Sequence, residues 1–228
     1  MHGAPGDIVI ISREKLAAII DHTLLSPAAD RAAIRKLCSE AQDYAMGHVC
    51  VNPHYVAEAR GLLRGTGVGV CSVVGFPLGA NLPEVKALEA RKVVELGADE
   101  VDMVINLGAL RNGEDFLVRE DIHGVVSASG VTTKVILETA LLSDEEKRRG
   151  CIAALEAGAH FVKTSTGFSQ GGATVSDVRL MKAVVGERLG VKASGGIRTY
   201  DAVKNLLEAG ATRIGSSSGP AILDGWRH

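Results

Sequence analysis

The stretch Glu156-Ala157-Gly158-Ala159-His160-Phe161-Val162-Lys163 has two counterparts in the chain. They are Glu95-Leu96-Gly97-Ala98-Asp99-Glu100-Val101-Asp102 and Glu208-Ala209-Gly210-Ala211-Thr212-Arg213-Ile214-Gly215. Each reads as the end of a helix, a glycine stop and a short apolar strand that closes on a special residue. In this alignment Asp102, Lys163 and Gly215 occupy equivalent strand positions. Two further strand-like runs, Lys134-Val135-Ile136-Leu137-Glu138 and Val191-Lys192-Ala193-Ser194, fall between the repeats. The steps from 102 to 134, 134 to 163 and 163 to 192 are 32, 29 and 29 residues. That is the length of one strand, one helix and two loops.

Outward from this core the same alternation continues. Helical apolar spacing is expected over 12–20, 31–46, 83–96, 176–189 and 200–209, and Ser143-x-x-Glu146 is a capping box that opens another helix. Gly47 is read as the residue that ends the helix over 31–46. Strands centre near 21, 49, 72, 104, 136, 162, 192 and 214. Eight strands alternating with helices predict an α/β protein, a (β/α)8 TIM barrel with a short N-terminal helix. The expected organisation is one domain over 1–228, with 1–11 as an N-terminal extension. A doubly wound open sheet is the alternative, but the glycine-rich turn that would follow its first strand is missing.

Composition narrows the function classes. The 228 residues carry a net charge of −2, are 46% hydrophobic and only 4% aromatic. No basic run is interleaved with aromatics, so no nucleic-acid partner is expected. No apolar run approaches the roughly 20 residues of a membrane span, and Ile8–Ile11 is too short for a signal core. A cytoplasmic protein without a membrane partner is expected. Cysteines 38, 50, 71 and 151 form no CxxC pair and have no histidine at zinc spacing, which predicts reduced thiols and no metal.

A lysine inside a buried strand needs a reason, because burying an ammonium is costly. Active sites of (β/α)8 barrels lie at the C-terminal strand ends, and alternate strand residues point inward. Phe161, Lys163 and Ser165 share one face of the sixth strand, and Lys192 and Ser194 share one face of the seventh. If both lysines point in, each disfavours the other's charge, and burial adds to the effect. A neutral lysine attacks carbonyls and forms a Schiff base. Asp102, inward on the fourth strand, would hold a lysine or a water and shuttle a proton. Lys134 is a candidate fourth member, although as the first residue of its strand it is expected near the opposite end. The glycine and hydroxyl clusters Ser194-Gly195-Gly196 and Gly215-Ser216-Ser217-Ser218-Gly219 follow the last two strands, where such barrels bind phosphate.

Five motifs resemble the deoxyribose-phosphate aldolase family. They are Asp21-His22-Thr23, the run from Val74 to Gly79, the run from Glu100 to Asn106, the run from Phe161 to Phe168 and the run from Val191 to Arg198. The resemblance covers about 13–224. It implies a class I aldolase without metal or other cofactor, interconverting 2-deoxyribose 5-phosphate with glyceraldehyde 3-phosphate and acetaldehyde in deoxynucleoside breakdown. It implies Lys163 as the Schiff-base lysine, Lys192 as the second lysine and Asp102 as the acid/base carboxylate. Asp21, Thr23, Cys50, Lys134 and Thr166 would contact substrate, and Gly167, Gly195, Gly196, Ser217 and Ser218 would hold phosphate. The family is usually dimeric or larger, so a homo-oligomer is implied. Two departures stand out. Phe168 takes a place where some members carry a basic residue, and the ending Asp224-Gly225-Trp226-Arg227-His228 lacks the tail tyrosine that some members use. Another Schiff-base aldolase or transaldolase, and a non-catalytic sugar-phosphate-binding barrel, are the competing readings.

Overall fold

A computed structural model describes residues 11–227. Residues 1–10, most of the expected N-terminal extension, lie outside the described part, as does His228. The chain alternates through α1 (Arg13–Ala18), β1 (Ile20–Leu24), α2 (Arg31–Asp43), β2 (His48–Val51), α3 (Val56–Leu62), β3 (Gly69–Val74) and α4 (Pro83–Glu95). It continues through β4 (Glu100–Val104), α5 (Leu107–Arg111), α6 (Asp115–Ser129), β5 (Thr132–Ile136), α7 (Asp144–Glu156) and β6 (Phe161–Lys163). It ends with α8 (Val175–Val185), β7 (Gly190–Ser194), α9 (Tyr200–Glu208), β8 (Arg213–Ser216) and α10 (Gly219–Asp224). All neighbouring strands are parallel, and β8 pairs back onto β1 to close the barrel.

The helices form where sequence chemistry starts and stops them. Asp30, Ser143, Thr174 and Thr199 each accept a backbone N–H as N-caps of α2, α7, α8 and α9, and Ser143 with Glu146 makes the full capping box. On α2 the buried face is Ile34, Leu37, Cys38 and Ala41, a single stripe at helical spacing. Between the helices and the strands lies an almost wholly aliphatic layer that includes Val49, Val70, Val101, Val135, Val162, Val191 and Ile214. These are the outward residues of the barrel strands. Their inward neighbours carry the polar groups. All four cysteines are free and buried.

Three local readings change. The helix over 31–46 stops at Asp43, and Ala45, not Gly47, takes the left-handed conformation (φ 52°). Gly47 is needed for a different reason. A Cβ there would lie 2.2 Å from the Ala18 carbonyl oxygen, so only glycine lets the start of β2 pass the end of α1. Between β4 and β5 the chain makes two helices rather than one, because Asn106 caps α5 and the turn at Asn112-Gly113 starts again into α6. Finally, Lys163 is in register with Lys192, and Lys192 with Arg213, so Gly215 sits one inward position further along β8 than the repeat implied.

Gly47→Ala forces its methyl against immobile backbone and should destabilise the fold by about 1–3 kcal/mol. Ala45→Gly, which relieves a left-handed alanine, should be neutral or stabilising by up to about 1 kcal/mol. Urea unfolding of the two variants checks both signs.

Candidate active site

Alternation along the strands decides which side chains enter the barrel. Asp21 on β1, Glu100 and Asp102 on β4, Lys134 on β5, Lys163 on β6, Lys192 on β7 and Arg213 on β8 all point inward, and together they fill the middle of the barrel with charge. Asp102 is the hub. Its Oδ2 accepts from Lys163 and Lys192, each at 2.7 Å, and its Oδ1 accepts from Lys134 at 2.8 Å. The Cys71 thiol donates to the same Oδ1 at 3.2 Å. One level lower, Asp21 binds Lys192 and takes Arg213 at 2.8 Å. Glu100 holds Lys134 at 2.6 Å and Arg213 at 3.2 Å. Gly215 makes room for this packing, since a Cβ there would lie 3.0 Å from the Lys192 Cε.

Burial disfavours each of these charges, and the opposite charges more than compensate. For Asp102, burial pushes the carboxyl up, but Lys134, Lys163 and Lys192 hold it well below the ordinary range. Asp21 behaves the same way through Lys192, Lys134 and Arg213. Burial would lower Lys192, yet Asp102 and Asp21 outweigh it and raise its affinity for a proton. Lys134 is raised well above normal by the same balance. The expectation that a lysine neighbour and burial would together lower Lys192 is therefore corrected, because two carboxylates reach it. At the lower end, His48 is pushed down by burial and by Arg213 and Lys134. Its Nδ1 accepts from Arg213 at 2.9 Å, which leaves the ring proton on Nε2, facing Glu100 at 3.4 Å.

A cavity of about 470 Å³ opens above this column at the C-terminal strand ends. Lys163, Thr23, Thr166, Gly167, Phe168, Gly195, Gly196 and Ser217 line it, together with Arg198. Gly195 and Gly196 have φ of 90° and 75°, a backbone that L side chains rarely adopt. Asp21, Cys50 and Lys134, expected to contact substrate, are fully buried and do not line the cavity. Lys134 is the third residue of β5 rather than its first, which puts it beside Asp102 and not at the strand's far end. Asp21 acts from beneath Lys192. Ser218 also stays out of the lining, and its N–H donates to the Ser216 hydroxyl. A second cavity of about 460 Å³, at the opposite end of the barrel, is lined by His48, Arg60, Arg64 and Asp99 and contains none of the lysines.

Several members escaped the sequence reading. Glu100 and Arg213 could have been found by extending the alternation two residues below Asp102 and Gly215. Cys71 carries no comparable signal. Two groups have the ligand types of a metal site, Cys50 with Cys71 and Asp102, and Asp21 with His48 and Glu100. In both, lysine or arginine already occupies the carboxylate oxygens. A divalent cation would have to displace them against a cationic surrounding, so these donors fit an ionic network better than a metal.

A family model for DeoC/LacD family aldolases matches residues 15–225. The chain belongs to this family. The aldolase is 58% identical over 211 residues to a deoxyribose-phosphate aldolase from Macrococcus caseolyticus, covering 92% of this chain and 96% of that one. It is 56% identical over 212 residues to one from Bacillus subtilis, covering 92% and 95%. Among solved structures, the tetrameric deoxyribose phosphate aldolase from Aeropyrum pernix superposes with a TM-score of 0.87 at 39% identity, covering 93% and 91%. Among the described residues of this aldolase, no helix is long and apolar enough to cross a membrane.

The ionic column has a defined pH signature. Asp21 and Asp102 have depressed values, so their stabilisation is complete above the unfolded carboxyl value of about 3.9 and fades as pH falls toward the folded value. Lys134 and Lys192 have raised values, so theirs is complete below about 10.4 and fades as pH climbs. Asp21→Asn leaves Lys192 and Arg213 buried with less compensation and should cost about 3–5 kcal/mol near neutral pH. It should also flatten the loss of stability below about pH 4, as measured by urea midpoints across pH.

Proposed function

We propose that the chain is a deoxyribose-phosphate aldolase that reversibly cleaves 2-deoxy-D-ribose 5-phosphate to D-glyceraldehyde 3-phosphate and acetaldehyde through an imine on Lys163. The observation that carries the reading is the position of Lys163. It is the member of the ionic column that opens onto the cavity, and Asp102 holds it 2.7 Å away on the oxygen that also holds Lys192. Strand-borne groups locked by their neighbours keep this geometry without rearrangement.

The charges suggest how the amine is freed. Lys134, Lys163, Lys192 and Arg213 face three carboxylates, Asp21, Glu100 and Asp102. Among these cations Lys163 is the amine that lines the open cavity, so it is the one an incoming aldehyde can reach. The free amine adds to the aldehyde carbon of the open-chain sugar, and water leaves to give the imine. A base, Asp102 acting through a water, removes the proton of the 3-hydroxyl. The C2–C3 bond then breaks, its electron pair passing into the imine to give an enamine and releasing glyceraldehyde 3-phosphate. Lys192 returns a proton to C2, and hydrolysis frees acetaldehyde. The phosphate lies against Gly167, Gly195, Gly196 and Ser217, with Arg198 supplying charge from the cavity wall. Arg198 has no ion-pair partner among the described residues.

A homo-oligomer in the cytoplasm belongs to the same proposal. The tetrameric Aeropyrum relative supports assembly, as do the exposed apolar side chains Leu78, Leu82 and Phe116. A second reading, an aldolase serving another phosphorylated acceptor, is favoured only by Phe168. It stands half-exposed at the mouth, edge-on to Phe76 with ring centroids 5.2 Å apart, where some family members carry a basic residue.

Incubation with acetaldehyde and borohydride should leave an ethyl group on Lys163, mapped by peptide mass spectrometry. Lys163→Ala should lose the adduct and on the order of 10³-fold or more of turnover. An adduct without turnover of 2-deoxyribose 5-phosphate moves the reading to a different acceptor, and no adduct on Lys163 removes it.

A further inference from the structure

Glu138, two residues past the end of β5, takes the left-handed conformation with φ 56° and ψ 60°. L side chains enter that region only under constraint, and such positions gather near functional sites. Its side chain is 2% exposed, and its carboxylate has no ion-pair partner among the described residues. A buried carboxylate without a cation is expensive unless its oxygens are well occupied. Here both oxygens turn to one residue of the next loop. Oε1 accepts the Thr166 N–H at 3.2 Å, and Oε2 accepts the Thr166 hydroxyl. The Thr166 Oγ1 then accepts the Phe168 N–H at 3.0 Å.

This relay fixes the turn around Gly167 (φ 84°), whose own N–H takes no part in it. Thr166, Gly167 and Phe168 form the cavity wall on the β6 side, and Gly195 and Gly196 form it on the β7 side. Glu138 itself does not line the cavity, and its carboxylate makes its hydrogen bonds to Thr166 and not to Asp102, Lys163 or Lys192.

We propose that Glu138 is a positioning residue for the phosphate end of the substrate, acting through Thr166 on the turn that carries Gly167. The proposal rests on the aldolase reading and on that turn meeting the phosphate. It separates two functions of the site. Imine formation depends on the ionic column, and recognition of the phosphorylated acceptor depends on a carboxylate outside it.

The test uses the full chain with Glu138→Gln, Glu138→Ala, Thr166→Val and the double variant Glu138→Ala/Thr166→Val. Readouts are kcat and KM for 2-deoxyribose 5-phosphate and for unphosphorylated 2-deoxyribose, the trapped acetaldehyde adduct on Lys163, and the thermal midpoint. Glu138→Ala should raise KM for the phosphorylated sugar about tenfold, while turnover of the unphosphorylated sugar and adduct formation stay within about twofold of wild type. Glu138→Gln, which keeps one acceptor oxygen, should fall between, and the double variant should be no worse than Thr166→Val alone. Equal losses on both sugars, or a lowered thermal midpoint with an unchanged KM ratio, would overturn the proposal. Should Glu138→Ala fail to fold, an unchanged KM in Thr166→Val overturns it as well. A wild-type protein that forms no adduct removes the aldolase reading itself, whereas an active wild type with unaffected Glu138 variants removes this proposal alone.

Discussion

Two oxygens of Asp102 hold three lysines from three successive strands, and the interior of the barrel depends on that arrangement. Without the carboxylate, Lys134, Lys163 and Lys192 would face one another in a medium that screens charge poorly. With it, each ammonium has a partner, and the remaining carboxylates, Asp21 and Glu100, tie the set to Arg213 at the base. Most (β/α)8 interiors are layers of branched aliphatic side chains. Here the aliphatic packing sits outside the strands, between barrel and helices, and the centre is ionic. In the proposed mechanism, the same residues that hold the centre together also supply the chemistry.

The two sides of the candidate site are built differently, one on paired strands and the other on loops. Lys163 and Lys192 project from paired strand positions, and their ammonium groups are fixed by shared oxygens. The side proposed to hold phosphate is made of loops, glycines with left-handed backbone and a carboxylate that binds one threonine. In the proposed reading, substitutions there would change what is held and leave the ionic column as it is.

The barrel was legible in the sequence because its period is written in a repeated helix stop, strand and special residue. The Asp102, Lys163 and Lys192 constellation was legible because strand alternation sends all three inward. What stayed hidden depends on register between strands. Gly215 looked equivalent to Lys163 in the repeat, but the pairing of β7 with β8 puts Arg213 opposite Lys192. Lys134 looked like a strand's first residue until pairing set it against Asp102. Glu138 was hidden for a different reason. Nothing in a glutamate at a strand end announces a left-handed backbone, and its partner Thr166 is 28 residues away. Asp21 and Cys50 came only from motif resemblance, which names neighbours of a site without saying which of them a ligand can touch.

The lower end of the column has its own consequence. His48, Glu100 and Arg213 seal the base of the barrel, and the cavity beyond them shares no lining residue with the one above. The candidate site thus opens at the C-terminal strand ends and is closed below by the ionic base. For the cleavage proposed here, the phosphorylated fragment sits at the rim and the two-carbon fragment stays bonded at the bottom. The rim must empty before the bottom can, and in the synthetic direction acetaldehyde must descend before the acceptor closes the shaft behind it. Under that proposal, order of entry and exit follows from the architecture, since the reacting amine lies below the loops that meet the acceptor.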